Sequence, residues 1–269
     1  MLILLTNDDG IHAQGLRALR KELMKMGRVI VVAPATEQSA VGHSITLSNP
    51  LIVQEIEDEN NEFLGWAVEG RPADCVKLAL QELLDERPDV VVSGLNAGAN
   101  SGINVLYSGT VAAAVEGAFF RITSIACSQE LTGAHPDFQR GAEASRQIVE
   151  QILYHKPETG SLFNVNIPSV EEGDIKGVVT LPLNVAPYVE ALERRIDPRG
   201  RIYFWYTPEF GCPEPHSDTD VVALDQGYIT VTPLHFDLTH YRELEQMKTW
   251  QWDFKSQGRS SDSENAHHD

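Results

Sequence analysis

The sequence predicts an α/β protein with a doubly wound, mostly parallel, Rossmann-like sheet, followed by a C-terminal β-hairpin extension. Two observations support this fold class. Over residues 1–168, short apolar runs typical of buried strands alternate with stretches whose apolar residues recur at helical spacing. Beyond Pro168 the alternation stops, and isolated strand patterns with intervening turns replace it.

The first βαβ unit begins at the second residue. Leu2–Thr6 is a short, continuous apolar run, as expected of a parallel strand that is covered on both faces. A helix with Gly27 as its stop signal follows, and Arg28–Ala33 is the second strand. Because the chain returns to a parallel neighbour, we expect a right-handed crossover. The apolar residues at helical spacing are Leu16, Leu19, Leu23 and Met26.

The later elements of this region continue the alternation. A helix opens at Gly70–Pro72, because proline suits a first turn, and it runs to Leu84. Further helices are predicted at Val111–Phe120 and Asp137–Leu153. The remaining strands of the region are predicted at Leu51–Ile56, Phe63–Val68, Val90–Ser93, Ser124–Ser128 and Phe163–Ile167.

Three regions are expected: an α/β catalytic core at residues 1–168, a C-terminal extension at 169–245 and a disordered tail at 246–269. In the extension, Ala186–Tyr206 is predicted to form a hairpin that exposes several aromatic side chains. So apolar an arm favours a contact between subunits of a homodimer or homotetramer. The alternative is an arm that folds back over its own core. Strands of the extension are predicted at Val178–Leu181, Arg201–Tyr206 and Tyr228–Thr232.

The composition restricts the partners. The net charge of −18 argues against broad electrostatic binding of duplex nucleic acid or of an anionic membrane surface. The apolar run at the start of the chain stops after Leu5, which is too short for a signal peptide or a membrane span. Cys75, Cys127 and Cys212 show no C-x-x-C spacing and cannot all pair, so we expect buried thiols and a cytoplasmic location.

An acidic pair follows the first strand. Asp8 and Asp9 lie where open α/β sheets bind ligands, beyond the carboxyl end of a strand. Two adjacent carboxylates repel each other unless a cation or a shared proton neutralises them. Hard oxygen ligands in this number favour Mg²⁺, Mn²⁺ or Ca²⁺ over Zn²⁺. The alternative is a solvated turn in which Asp9 caps the next helix and Gly10 permits the bend.

Polar residues also follow the second and later strands. Ser39, Gly42 and His43 lie in the loop after the second strand, where Ser39 can be a ligand or phosphate donor and His43 a general acid. Taken singly, Ser39 and His43 each fit an ordinary loop residue better, since both residue types are common in surface turns. After Val90–Ser93, a glycine-rich loop offers Asn96 as an oxygen ligand or an amide donor. The next helix start is predicted to bind an anion, unless its residues serve only as a cap: Ser108, Gly109 and Thr110.

On these residues the sequence resembles the SurE family, the stationary-phase survival proteins with 5′-nucleotidase activity. The similarity runs from residue 1 to about residue 240. The matching stretches, in chain order, are ILLTNDDGI, VVAP followed by Ser39, GRPADCVKLAL, PDVVVSGLNAGAN, YSGTVAAAVEG, FNVNIP and DTDVVALDQGYITVTPL. The departures are Gln14 and Ala99, where the family often has proline, and Ala40, where glycine often follows the serine.

The resemblance implies a site and an activity. It implies one divalent metal ion held by Asp8, Asp9, Ser39 and Asn96, and phosphate contacts at Ser108–Thr110. It further implies hydrolysis of nucleoside monophosphates, activity on other phosphoesters, and oligomers built through C-terminal elements. Two chemical routes stay open: in-line attack by a metal-activated water, and an aspartyl-phosphate on Asp8.

Other functions are less well supported by the sequence. No G-x-x-x-x-G-K-[ST], G-x-G-x-x-G or G-x-S-x-G pattern is placed to bind ATP, bind a dinucleotide or act as a serine hydrolase. A receiver-like signalling module would need an aspartate after its third strand, where this chain has none between Val90 and Thr110. The principal rival is a metal- and nucleotide-binding regulator that does not turn its ligand over.

Overall fold

The computed structural model describes residues 1–131, 137–169, 175–187, 192–206 and 214–254. The strands are β1 (Leu2–Thr6), β2 (Arg28–Pro34), β3 (Val53–Glu57), β4 (Phe63–Val68), β5 (Val90–Ala97), β6 (Thr123–Gln129), β7 (Leu162–Ile167), β8 (Val178–Thr180), β9 (Leu192–Ile196), β10 (Ile202–Tyr206) and β11 (Ile229–Leu234). The helices are α1 (Gln14–Leu23), α2 (Pro72–Leu78), α3 (Gly109–Phe119), α4 (Phe138–Tyr154), α5 (Asp220–Asp225) and α6 (Tyr241–Met247).

Nine of these strands form one sheet in the order β3-β4-β2-β1-β5-β6-β7-β11-β8. The run from β4 to β7 is parallel throughout. At one edge β3 is antiparallel to β4, and at the other β11 is antiparallel to β7 while β8 is parallel to β11. This mostly parallel sheet confirms the predicted fold class.

Both faces of the sheet are covered, as alternation along β1 shows. Ile3 and Leu5 belong to a buried cluster that also contains apolar residues of α1 and α4. Leu2 and Leu4 point to the opposite face, where they pack with residues of α2 and α3. A strand with apolar residues on both faces therefore has the continuous apolar pattern that the sequence shows.

The helix predicted to run to Leu84 differs in detail. It is α-helical only over Pro72–Leu78 and continues as a π-helical turn over Ala79–Leu83. Its capping box is formed by Arg71 and Asp74. The short helices α5 and α6 were not predicted, because segments of six or seven residues are too short for a convincing periodicity.

The sheet continues past residue 168, since β8 and β11 belong to it. Residues Met1–His235 form one compact unit. The second unit, Phe236–Asp269, contains α6, which His240 caps by accepting a hydrogen bond from the Glu243 N–H at 3.0 Å. Most of the predicted disordered tail, from residue 255 onward, lies outside the described residues.

A separate two-stranded sheet confirms the predicted hairpin. β9 and β10 pair antiparallel, with Leu192 opposite Tyr206, and the turn is closed by the Gly200 N–H bonding to the Asp197 carbonyl at 2.9 Å. Every residue of both strands is exposed. We refer to Leu192–Tyr206 as the hairpin.

Two further expectations concern thiols and membranes. Cys75 and Cys127 are buried and unpaired, as predicted, while Cys212 lies outside the described residues. Burial raises the pKa of the Cys127 thiol to about 12, so this group is an inert apolar side chain at neutral pH. Within the described residues, no helix combines the length and apolar character needed to cross a membrane.

Candidate active site

The candidate site lies where the winding of the sheet reverses. β1 pairs with β2 on one side and with β5 on the other, so the loops that follow β1 and β5 diverge and leave a crevice between them. A cavity of about 590 Å³ opens at this position. Of the residues predicted from sequence, Asp8, Ser39, Asn96 and Ser108 line it together. The chain thus brings residues from four separate segments to one edge of the sheet.

Asp8 is the most deeply held of these side chains. It is 4% exposed. Burial raises the pKa of Asp8, and hydrogen bonds from the Thr110 hydroxyl and from the backbone of Thr110 and Gly109 partly offset this. The N-terminus of α3 therefore faces a carboxylate of the chain itself. A Cβ on Gly109 would lie 2.8 Å from the Asp8 Cβ, so only glycine fits at that position.

Asp9 lies beside Asp8 with a looser environment. Burial and the charge of Asp8 raise the pKa of Asp9 to about 6. The Ala97 N–H donates to its Oδ2 at 3.2 Å, which ties the loop after β1 to the end of β5. Two neighbouring carboxyl groups with raised pKa values form a site that a cation would stabilise. Among the described residues, no third acidic, histidine or cysteine side chain joins them in a metal-holding group.

The two uncharged candidate ligands, Ser39 and Asn96, line the same cavity as Asp8. The Gln38 N–H donates to the Asp8 carbonyl at 2.7 Å and so holds the Ser39 loop against the loop after β1. The Ser39 hydroxyl donates to Glu37 at 2.6 Å. The Asn96 amide nitrogen donates to the Gly98 carbonyl at 2.7 Å, so its Oδ1 is the atom that suits a cation.

Gly42 and His43 occupy a different place from the one that the sequence suggested. Neither lines the cavity. The Gly42 N–H donates to the Tyr107 carbonyl at 2.9 Å. His43 Nε2 lies 2.6 Å from Oε1 of the buried Glu116 on α3, and its ring stacks on Phe119. Both residues connect the Ser39 loop to α3 and to the segment before it.

Comparisons with known proteins identify the family of the chain. The family model described as "Survival protein SurE" matches residues 3–189. The chain belongs to the SurE family. Two relatives, both named 5′-nucleotidase SurE, come from Rhodopirellula baltica (51% identical, 93% of this chain and 98% of that protein) and Moorella thermoacetica (46% identical, 93% and 96%). The crystal structure of the SurE protein from Aquifex aeolicus is 39% identical, with a TM-score of 0.80, and covers 92% of this chain and 98% of its own.

A departure from the common SurE pattern has a structural consequence. Ala40 has a φ of 55°, in the left-handed region where glycine has no steric penalty. By the resemblance described above, glycine often stands at this position in the family. The alanine side chain lines the cavity, so the substitution changes the wall next to Ser39.

Four cavity residues with polar side chains were missed by sequence reasoning: Asn100, Asn104, Tyr107 and Tyr206. Asn100 is held by a buried polar network, since its amide donates to the Ser128 hydroxyl at 2.8 Å and its carbonyl accepts from Asn164 at 2.7 Å. Tyr107 directly precedes the predicted anion site, and that position was an available signal. Tyr206 is brought in from the hairpin, and nothing near it in sequence indicated a site.

Proposed function

We propose that the chain is a metal-dependent phosphatase that hydrolyses nucleoside monophosphates, a 5′-nucleotidase. Activity on 3′-nucleotides and polyphosphate is part of the same proposal. The observation that carries it is the convergence of Asp8, Asp9, Ser39 and Asn96 beside the N-terminus of α3. The names of the relatives from Rhodopirellula baltica and Moorella thermoacetica support the same activity.

The proposal includes one divalent ion, Mg²⁺ or Mn²⁺, held by Asp8, Asp9, Ser39 and Asn96. The donor set fits, because two carboxylates and two neutral oxygens are the hard ligands that these ions prefer. When bound, the ion neutralises the phosphoryl oxygens and lowers the pKa of water. It would also offset the burial and mutual repulsion that raise the pKa values of Asp8 and Asp9.

The remaining roles fall to the chain itself. Ser108 lines the cavity at the first turn of α3, and we propose that Ser108, Gly109 and Thr110 hold phosphoryl oxygens at this positive helix end. Thr110 and Gly109 also hold the Asp8 carboxylate in place. Because Gly42 and His43 lie outside the cavity, the proposal limits them to fixing the loop that carries Ser39.

Two routes for the attack are distinguishable. In the first, Asp8 or Asp9 takes the proton of a water whose oxygen attacks phosphorus, while the bond from phosphorus to the ribose oxygen breaks. In the second, the Asp8 carboxylate attacks phosphorus as the ribose oxygen leaves, and water later cleaves the acyl phosphate. A single turnover in ¹⁸O-labelled water places the label in phosphate by the first route. By the second the label enters the protein when water attacks the acyl carbon, and a phosphorylated chain trapped by rapid quenching identifies this route whichever atom water attacks.

We also propose a homodimer or homotetramer in the cytoplasm, assembled through the hairpin. Support comes from four consecutive exposed aromatic residues on β10: Tyr203, Phe204, Trp205 and Tyr206. Large apolar side chains clustered in this way are typical of protein–protein contacts.

The experiment that tests the function is phosphate release from AMP and GMP with Mg²⁺ or Mn²⁺, compared with the same chain in EDTA. We expect release with either ion and none in EDTA. The Asp9→Asn variant serves as the inactive control. Binding of AMP without phosphate release would overturn the proposal and favour the regulatory alternative.

A further inference from the structure

Two residues that line the cavity, Tyr107 and Tyr206, are not used by the proposed chemistry, and we refer to them as the second wall. Asp8, Ser39 and Ser108, which belong to the proposed metal and phosphoryl site, line the same cavity. Tyr107 and Tyr206 line the same cavity, with 49% and 66% of their surface exposed. A volume of about 590 Å³ exceeds what a phosphate group fills, so the cavity has room for a larger part of the ligand.

Tyr107 is anchored through its backbone. Its carbonyl accepts from the Gly42 N–H at 2.9 Å, and its N–H donates to the Asn104 carbonyl at 3.0 Å. It immediately precedes Ser108, the N-cap of α3. The ring is therefore carried by a rigid backbone that is one residue from the phosphate-facing helix start.

Tyr206 comes to the cavity from a segment that is distant from Tyr107 in sequence. It is the last residue of β10 and pairs with Leu192 in the hairpin. Because side chains alternate along a strand, Tyr206 shares a face with Phe204, while Trp205 points to the other face. The hairpin thus presents one residue to the cavity and an adjacent one away from it.

We propose that Tyr107 and Tyr206 bind the nucleobase of the substrate by stacking against its ring. This inference rests on the proposed function, since it names the ligand part that the second wall recognises. Stacking on an aromatic side chain is tolerant of base identity, because every base has a π-face. The site therefore selects nucleotides over base-free phosphoesters and discriminates weakly among the bases.

The test compares AMP with ribose 5-phosphate, which carries the same phosphoester and no base. For wild type, Tyr107→Ala and Tyr206→Ala we measure kcat and KM on both substrates. We expect each alanine variant to lose about tenfold in kcat/KM for AMP relative to ribose 5-phosphate, mostly through KM. Tyr107→Phe and Tyr206→Phe, which keep the ring, should restore the preference for AMP.

A matched control is available at Tyr154, the last residue of α4, which is 81% exposed. It lies at the opposite edge of the sheet, because α4 leads from the carboxyl end of β6 back to the start of β7. Tyr154→Ala should leave the ratio of the two substrates as in wild type.

The outcomes separate this inference from the proposed function. Alanine variants that keep the wild-type preference for AMP, or lose both substrates equally, overturn the nucleobase site alone. A wild-type chain that hydrolyses neither substrate overturns the proposed function. In that case calorimetric titration with AMP still tests the inference, because the alanine variants should bind AMP about tenfold more weakly than wild type and the phenylalanine variants should not.

Discussion

The carboxyl edge of β1 and β5 and the hairpin differ in how the chain holds them. Asp8 is almost fully buried at the centre of the sheet and receives hydrogen bonds from Thr110 and the start of α3. In the hairpin, in contrast, every residue of both strands is exposed. The residues proposed for catalysis therefore lie on the central sheet and at the start of α3, elements that short stretches of sequence specify. Tyr206 of the second wall, in contrast, comes from a separate two-stranded sheet that is distant in sequence.

The sheet edge and the hairpin each contain an energetically unfavourable arrangement of side chains. At the sheet edge, two carboxyl groups are buried together, and the pKa of each is raised. In the hairpin, aromatic side chains remain in solvent, which costs hydrophobic free energy until a partner or ligand covers them. A cation would stabilise the first arrangement, as the proposed function requires, and an apolar surface that covers the side chains would stabilise the second. The following variants test whether catalysis at the sheet edge and the contacts made by the hairpin can be changed separately.

The largest effect is expected at the sheet edge. Asp9→Asn removes one of two negative charges and keeps the side-chain volume and an oxygen that can accept from the Ala97 N–H. We expect kcat/KM for AMP to fall roughly a hundredfold or more, because an anionic ligand is lost. Steady-state phosphate release across a range of Mn²⁺ concentrations measures it. Near-normal, metal-stimulated turnover would show that Asp9 is no ligand.

A smaller effect is expected where the Ser39 loop joins α3. Glu116 is 3% exposed and contacts both His43 and Lys77, whose Nζ lies 3.5 Å from the same oxygen. Glu116→Gln removes the charge that holds this contact together. If the contact positions Ser39, the Mn²⁺ concentration for half-maximal activity should rise about tenfold, with kcat at saturating metal retained.

The control and the contrary result are equally specific. Glu150→Gln makes the same acid-to-amide change at an exposed pair with Arg146, and it should leave the metal dependence unaltered. His43→Ala should follow Glu116→Gln. A His43→Ala variant that loses kcat at saturating metal, while Glu116→Gln does not, would restore the role of His43 as a general acid that the sequence suggested.

These differences show what sequence reasoning can and cannot predict. Asp8, Asp9 and Asn96 could be placed at one edge, because Asp8 and Asp9 follow β1 at short range and Asn96 lies near the carboxyl end of the parallel strand β5. The contact of His43 with Glu116 could not be predicted, because helical periodicity does not specify how α3 is rotated about its axis relative to the loop that carries His43. The antiparallel entry of β11 beside β7 was missed for a similar reason: a short strand pattern does not specify its partner.

The third prediction concerns stability without metal. In the folded chain the pKa of Asp9 is about 6, above its ordinary value of 3.8, so the folded state binds this proton more tightly than the unfolded state. The stabilisation that the folded state gains from the bound proton of Asp9 is therefore fully present below about pH 4 and is lost as pH rises through 6. In EDTA, Asp9→Asn should become the more stable protein above pH 6. After allowing for solvent screening, the gain is about 1 kcal/mol.

Urea denaturation in EDTA at pH 4 and pH 7.5 measures this difference. Added Mn²⁺ should reverse the order of stability, because only the wild-type chain retains both carboxylates for the ion. Equal stability of the two chains at pH 7.5 in EDTA would mean that the Asp8–Asp9 repulsion is already relieved within the protein itself.

The smallest effect on turnover is expected in the hairpin, at Trp205. This residue is 58% exposed and alternates with Tyr206, so the two side chains point to opposite faces of β10. Trp205→Ser should shift the assembly toward smaller species in light scattering, because it removes a large apolar contact surface. The preference for AMP over ribose 5-phosphate should persist, whereas Tyr206→Ala should reduce it. If Trp205→Ser abolished that preference as well, assembly and base recognition would be inseparable, and subunit contact would be needed to position Tyr206 at the cavity.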